Sequence, residues 1–256
     1  MRNPYLIFPA AIMTAATLFV AGASPLAASA LDGRIEASAR NSFNFKTYLK
    51  DDSIKVESAA GVVTLTGMVA QDDHKALAQE TVSGLPGVKR VNNLLSVAGE
   101  QPAEHSDAWI SMKVKTALAF HKNVSAAATE VHTQNGVVTL SGSAGSQAKK
   151  ELTGEYAKDV EGVTEVRNDL TVADGKPVRE TMGAKVDDAS ITAQIKTTLL
   201  FRKSTHALAT RVATRDGVVT LHGEAESAAE RDLVTKVAED IKGVKQVNNR
   251  MTLRKA

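Results

Sequence analysis

Gly61-Val62-Val63-Thr64-Leu65-Thr66-Gly67 returns as Gly136-Val137-Val138-Thr139-Leu140-Ser141-Gly142, and again as Gly217-Val218-Val219-Thr220-Leu221-His222-Gly223. Around each copy the spacing is kept without a gap. Asp32, Asp107 and Asp188 each lie 29 residues before the first glycine. Gly87, Gly162 and Gly243 each lie 20 residues after the second glycine, and Asn93, Asn168 and Asn249 follow six later. The chain is therefore one unit of about 66 residues written three times, and a fixed period of this kind decides the architecture. The units span 32–97, 107–172 and 188–253, joined by linkers at 98–106 and 173–187.

Each unit opens with an aspartate followed by apolar residues at helical spacing: Ile35, Ala39 and Phe43, then Ile110, Val114 and Leu118, then Ile191, Ile195 and Leu199. Steps of this kind put the side chains on one helix face, and the preceding Asp is expected to cap the free N–H groups. Gly33, Asn41, Ser42 and Asn44 lower the helix propensity of the first copy, so its first helix is expected to be the least regular.

A short alternating run comes next (Ile54 and Val56, Thr129 and Val131, Thr210 and Val212) and reads as a half-buried strand. Asn135-Gly136 and Asp216-Gly217 then suit a type I′ hairpin turn, whereas Ala60-Gly61 suggests a looser one. The Val-Val-Thr-Leu run is the returning strand, expected to end at Gly67, Gly142 or Gly223. A second helix carries Leu77 and Thr81, Leu152 and Tyr156, or Leu233, Val237 and Ile241, and is expected to stop at Gly87, Gly162 or Gly243. The last strands are Val88–Val97, Val163–Val172 and Val244–Leu253.

The order α-β-β-α-β, with an antiparallel hairpin and a right-handed strand-helix-strand crossover, predicts an α+β fold. Each unit is a three-stranded mixed sheet with two helices on one face. Units this small are marginal alone, so contact between them is expected to stabilise the chain. The shorter linker predicts tighter coupling of units one and two than of two and three.

Residues 1–30 read as an export signal: Arg2, an uncharged run from Tyr5 to Ala23, and Ala28-Ser29-Ala30 as a cleavage site. A periplasmic mature chain from Leu31 follows. Its charge is close to balanced, which argues against a nucleic-acid binder. The charge is nevertheless uneven, about 0, −1 and +2 for the three units in order.

The α-β-β-α-β order, the Gly-Val-Val-x-Leu-x-Gly strand and the Gly-Val-x-x-Val-x-Asn-x-Leu ending together resemble the BON domain, the bacterial OsmY and nodulation module. The resemblance covers all three units. It implies a non-catalytic, OsmY-like envelope-maintenance or osmotic-stress protein whose modules attach to phospholipid membranes. No catalytic residues or cofactors come with it, and the repeat glycines (Gly61, Gly67, Gly87, Gly136, Gly142, Gly162, Gly217, Gly223 and Gly243) are structural. Family members that are lipoproteins carry a lipidated cysteine, and this chain has no cysteine.

No nucleophile-base-orienter set stands out. The six histidines fall at different repeat positions without metal-ligand spacing and read as surface residues. Asp72-Asp73 reads as favouring the second helix dipole. Phe45, Phe120 and Phe201 share one repeat position, each followed by basic residues. Such an aromatic either meets anionic headgroups or closes its own core. The candidate lipid surface comprises Lys196, Phe201, Arg202, Lys203, Arg254 and Lys255 in unit three, with Trp109, the single tryptophan, either an interfacial anchor or a residue packed against a neighbouring unit. The alternative partner is an envelope protein bound at an open sheet edge.

Overall fold

Three copies of the Val-Val-Thr-Leu strand form the centres of three separate sheets in the computed structural model, which describes residues 25–99, 101–172, 185–205 and 210–254. The predicted signal segment up to residue 24, much of the second linker and Lys255 lie outside the described residues.

In module 1, α1 (Pro25–Asn41) breaks at Ser42 and resumes as α2 (Phe43–Thr47). The hairpin β1 (Ser53–Ala59) and β2 (Val62–Val69), the helix α3 (Asp72–Ser83) and the strand β3 (Arg90–Val97) complete it. Module 2 has α4 (Asp107–Phe120), β4 (Thr129–Gln134), β5 (Val137–Ala144), α5 (Gln147–Lys158), β6 (Glu165–Asn168) and β7 (Thr171–Val172). Module 3 has α6 (Asp188–Leu200), β8 (Thr210–Arg215), β9 (Val218–Ala225), α7 (Ala228–Glu239), β10 (Gln246–Asn249) and β11 (Thr252–Leu253).

Each returning strand is central, antiparallel to the first strand and parallel to the last, as the crossover argument requires. Alternate residues of the strand (Val63 and Leu65, Val138 and Leu140, Val219 and Leu221) are fully buried under the helices. The first helix of module 1 is the irregular one, broken where Ser42 caps α2 through Phe45 N.

Several local expectations are corrected. Asp107 does not cap its own helix; Ser106 does that, and Asp187 does so for α6. The repeat aspartate instead reaches across to the hairpin, where Asp107 accepts from Asn135 N (2.8 Å) and Gly136 N (2.9 Å). Asp188 does the same with Asp216 N (2.7 Å) and Gly217 N (2.8 Å), and Asp32 with Ala60 N (2.8 Å) and Gly61 N (3.0 Å). Bonds from Gly136 and Asn135 hold the Asp107 carboxyl below the usual range; the Ser58 hydroxyl, with Gly61 N–H, does so for Asp32. With that anchor the Ala60-Gly61 turn is no looser than the others: φ is 52° at Ala60, 52° at Asn135 and 53° at Asp216.

The central strands also run two residues beyond the expected glycines. The second helices end four residues before Gly87, Gly162 and Gly243. Gly162 is there for close approach, because an added Cβ would sit 2.9 Å from Ile110 of α4. The repeat asparagines tie the last strand to the second helix: Asn168 Nδ2 donates to Lys150 O (2.6 Å) and Asn249 Nδ2 to Arg231 O (2.9 Å).

The modules pack on one another in a way the linkers did not predict. Helix α3 of module 1 lies along α6 of module 3, and the two modules share one core that also takes in Phe120 of module 2. Asn44 is the polar centre of that contact, donating to Thr81 Oγ1 (2.8 Å) and accepting from Gln194 Nε2 (2.8 Å). Modules 1 and 2 meet where Asp73 pairs with Lys113 and Tyr48 OH donates to Ala119 O (3.0 Å). Asp73 thus serves an inter-module ion pair as well as a helix start.

Modules 2 and 3 meet through two equivalent strand bridges, His121 with Ile241 and Val160 with Arg202. On one side Arg202 Nε lies 2.6 Å from Asp159. On the other, His121 takes the arginine's place, with Nδ1 3.1 Å from Asp240. His121 is fully buried, stacked at 3.7 Å on Tyr156, and neither ring nitrogen has a well-aligned hydrogen bond. This histidine is therefore not the surface residue expected.

One half of this joint holds a guanidinium, and the other holds the His121 imidazole in its place. Burial, reinforced by the nearby Arg202 and Lys242, lowers the His121 pKa despite the opposing pull of Asp240. An unfolded histidine protonates near pH ~6.5, so below that pH the unfolded chain takes up a proton that the folded joint resists. Stability must then fall as pH drops below ~6.5. Asp240 is raised by burial, but its contacts with His121 and Tyr156 hold it below the usual carboxylate range. Its own contribution therefore persists through that window. His121→Phe, which keeps the stack, should remove this part of the pH dependence; equal slopes of melting temperature from pH 8 to 5 in both proteins would contradict the assignment.

Candidate functional site

With the helices covering one face of each sheet, the other face is left open, and strand alternation decides what it shows. In module 3 the residues between the buried Val212, Val219 and Leu221 point outward. Arg211 is the register partner of His222, and Arg250, whose N–H bonds Leu221 O, falls beside His222 on the opposite strand. Arg211, His222 and Arg250 thus form a row across the sheet, all exposed, with Arg215 two rows further along. Among the described residues none of the three arginines has an ion-pair partner within 4.0 Å; Glu224 is the one exposed acid on the same face.

The candidate lipid residues do not gather into one patch. Phe201 and Arg202 are buried in the joint with module 2, and the Lys113 ammonium lies 4.2 Å over the Phe201 ring. Lys196 is paired with Glu80 of module 1 at 2.8 Å. Lys203 is exposed but bonds Val163 O (3.2 Å) at the same joint. Arg254 is exposed, 3.6 Å from Glu226. Trp109 is half-buried against the module 2 core, 5.1 Å from His105. Phe120 therefore joins the core shared by modules 1 and 3, and Phe201 is buried at the joint with module 2, so neither sits in a core of its own module.

Arg211, His222 and Arg250 escape a local reading of the sequence because they lie on strands, away from the helix ends where basic residues cluster after each repeat phenylalanine. The signal was present in the repeat itself. Comparing copies two and three column by column, at the strand positions that alternate away from the helices, replaces Glu130, Ser141 and Asp169 by Arg211, His222 and Arg250. No helix among the described residues is long and apolar enough to cross a membrane.

A hairpin-anchoring aspartate, a central Val-Val-Thr-Leu strand and an asparagine-clamped last strand recur in all three modules. The BON domain description matches at residues 31–99, 106–174 and 187–255. The chain is similar to the Osmotically-inducible protein Y of Escherichia coli (strain K12), 33% identical over 196 residues, which is 77% of this chain and 95% of that protein. It is similar to the 21 kDa hemolysin of Actinobacillus pleuropneumoniae, 34% identical over 113 residues, 44% of this chain and 56% of that protein. The Outer membrane lipoprotein DolP of Haemophilus influenzae is 30% identical over 125 residues, 46% of this chain and 64% of that protein. With its three modules matched across most of its length, the chain belongs to the BON domain family.

Proposed function

We propose that this chain is an exported envelope-maintenance or osmotic-stress protein, working in the periplasm, that binds anionic phospholipid surfaces through the open sheet face of module 3. The observation that carries this is the row Arg211–His222–Arg250, exposed on the open sheet face and, among the described residues, without ion-pair partners. The names of the similar proteins, one osmotically inducible and one an outer membrane lipoprotein, support an envelope role. The reading is of binding rather than catalysis, because it rests on surface charge.

Each basic residue near an anionic membrane contributes about 1 kcal/mol. Losing two of them weakens binding by roughly 30-fold at 1.4 kcal/mol per tenfold, and reversing them weakens it further. The test is co-sedimentation of the chain from Leu31 onward with phosphatidylglycerol-containing and phosphatidylcholine-only vesicles across a salt series. Binding to the anionic vesicles should fade with salt and be lost in Arg211→Glu/Arg250→Glu. Equal binding by that variant would remove module 3's face from the reading.

A second reading, a protein partner added to a sheet edge, is favoured by one observation. In module 1 the edge strand β3 runs unbroken for 8 residues, whereas its counterparts are split into β6 and β7 or β10 and β11. An uninterrupted edge is a template for an added strand. Salt-tolerant binding of extended polypeptide, without vesicle binding, would favour it.

A further inference from the structure

At the two ends of one row the outer faces of modules 2 and 3 carry opposite charge at equivalent positions; the next row of module 2 also presents Arg167 and His132, so that face is acidic on balance rather than throughout. Module 3 has Arg211 and Arg250 at the two ends of a row and Arg215 two rows along; module 2 has Glu130 and Asp169 at the same row ends and Glu165 two rows along. All six are exposed, and among the described residues none has an ion-pair partner. The joint between the two modules uses the ends of their helices, and among the described residues neither face is covered within one chain.

From this arrangement we infer that the outer sheet face of module 3 docks on the outer sheet face of module 2 in a second copy of the chain. The row ends are two strand spacings, roughly 10 Å, apart in both modules, so the cations and anions have matching separation. Turning one face over onto the other about an axis along the strands exchanges its two edges and keeps its rows. Arg211 then meets Asp169, Arg250 meets Glu130, and Arg215, at the β8 edge, meets Glu165 on β6. Turning it about the perpendicular axis preserves the row-end pairs but loses the third. The central strands confront each other with Ser141 on His222, Thr139 on Thr220 and Val137 on Val218, without a like-charge pair directly opposed. The strands of the two copies therefore run parallel across the contact.

The contact is heterologous: it closes into a two-fold dimer if both pairs of faces engage at once, and otherwise runs on as a chain of copies. One three-stranded polar face falls short of the ~800 Å² per partner of a stable complex, so the association is weak and depends on low salt. It uses the same cationic row as lipid but does not rest on lipid binding; an anionic membrane and a second copy compete for that row.

The experiment is sedimentation velocity on the chain from Leu31 onward, without lipid, over a concentration series at low and high salt. Wild type should show mass above the monomer that grows with concentration at low salt and disappears at high salt. Glu130→Arg/Asp169→Arg and Arg211→Glu/Arg250→Glu should each weaken association at least tenfold, with circular dichroism confirming that both are folded. Mixed together, the two variants should associate again, because each now supplies the face that the other lacks. A wild type that stays monomeric at low salt overturns the inference, as does association that survives in either variant or fails to return in the mixture. Lipid binding is distinguished by the acidic-face variant, which should still bind anionic vesicles while no longer self-associating.

Discussion

Lys113→Ala is expected to destabilise the protein by about 3–5 kcal/mol, the cost of breaking a buried ion pair by removing one partner. The pair is the point where all three modules meet. Lys113 belongs to α4 of module 2, its ammonium bonds Asp73 at the start of α3 in module 1, and it lies over the Phe201 ring of module 3. Both side chains are buried; the lysine bonds Asp73 Oδ1, and among the described residues Oδ2 accepts no hydrogen bond. Truncating the lysine leaves a carboxylate that neither water nor another cation satisfies, and it also removes a desolvated cation–ring contact of about 2 kcal/mol. Lys113→Met/Asp73→Leu should be far milder, since it removes both charges and keeps the volume. Urea unfolding of the single and double variants checks this. A loss below ~1 kcal/mol in Lys113→Ala would place the pair among solvated surface bridges.

Gly142→Ala should cost roughly 3 kcal/mol or more through strain that packing has no room to relieve. Gly142 sits inside β5 opposite Thr129, with φ at 113°. A Cβ there would lie 2.1 Å from the Ala128 carbonyl oxygen, which is backbone and has no rotamer to yield. Either β4 lifts from β5 or the backbone leaves the conformation that β5 needs. Gly67 in module 1 meets the Ser53 carbonyl in the same way at 1.9 Å, so the constraint belongs to the repeat. Gly33→Ala is the contrasting control: it lies in α1 with nothing within 4 Å of an added Cβ. Exchange of a helical glycine for alanine should stabilise by up to ~1 kcal/mol. Thermal melts of the two variants should move in opposite directions.

These two sites show what local reading reaches. The glycine is visible as a fixed repeat position but reads locally as a strand end, because glycine inside a strand is unfavourable unless a backbone approaches it. That approach comes from the neighbouring strand. The aspartate opening each unit was likewise visible and assigned to the nearest free N–H groups. Its real partners lie 28 and 29 residues away at the hairpin, a distance closed only when β4 folds under α4. Lys113 gave no signal at all. It occupies the same repeat position as Gln194, which reaches Asn44 in module 1, so two different polar groups fill equivalent places against different neighbours.

The amino-acid sequence by itself determined the module: its three copies, its element order, its sheet topology and the faces buried within it. Those follow from periodicities of two and 3.6 and from turn chemistry, which act over a few residues. The tertiary structure alone decided which modules touch. The second linker, longer than the first, still allows α6 to lie against α3, so most of α6 is buried on both sides and module 3 rests on module 1 rather than following module 2 in line. It also decided which basic residues remain outside. Arg202 went into a joint while Arg211 and Arg250 stayed on an open sheet face, because strand alternation and inter-module packing assign exposure, not the count of charges along the chain.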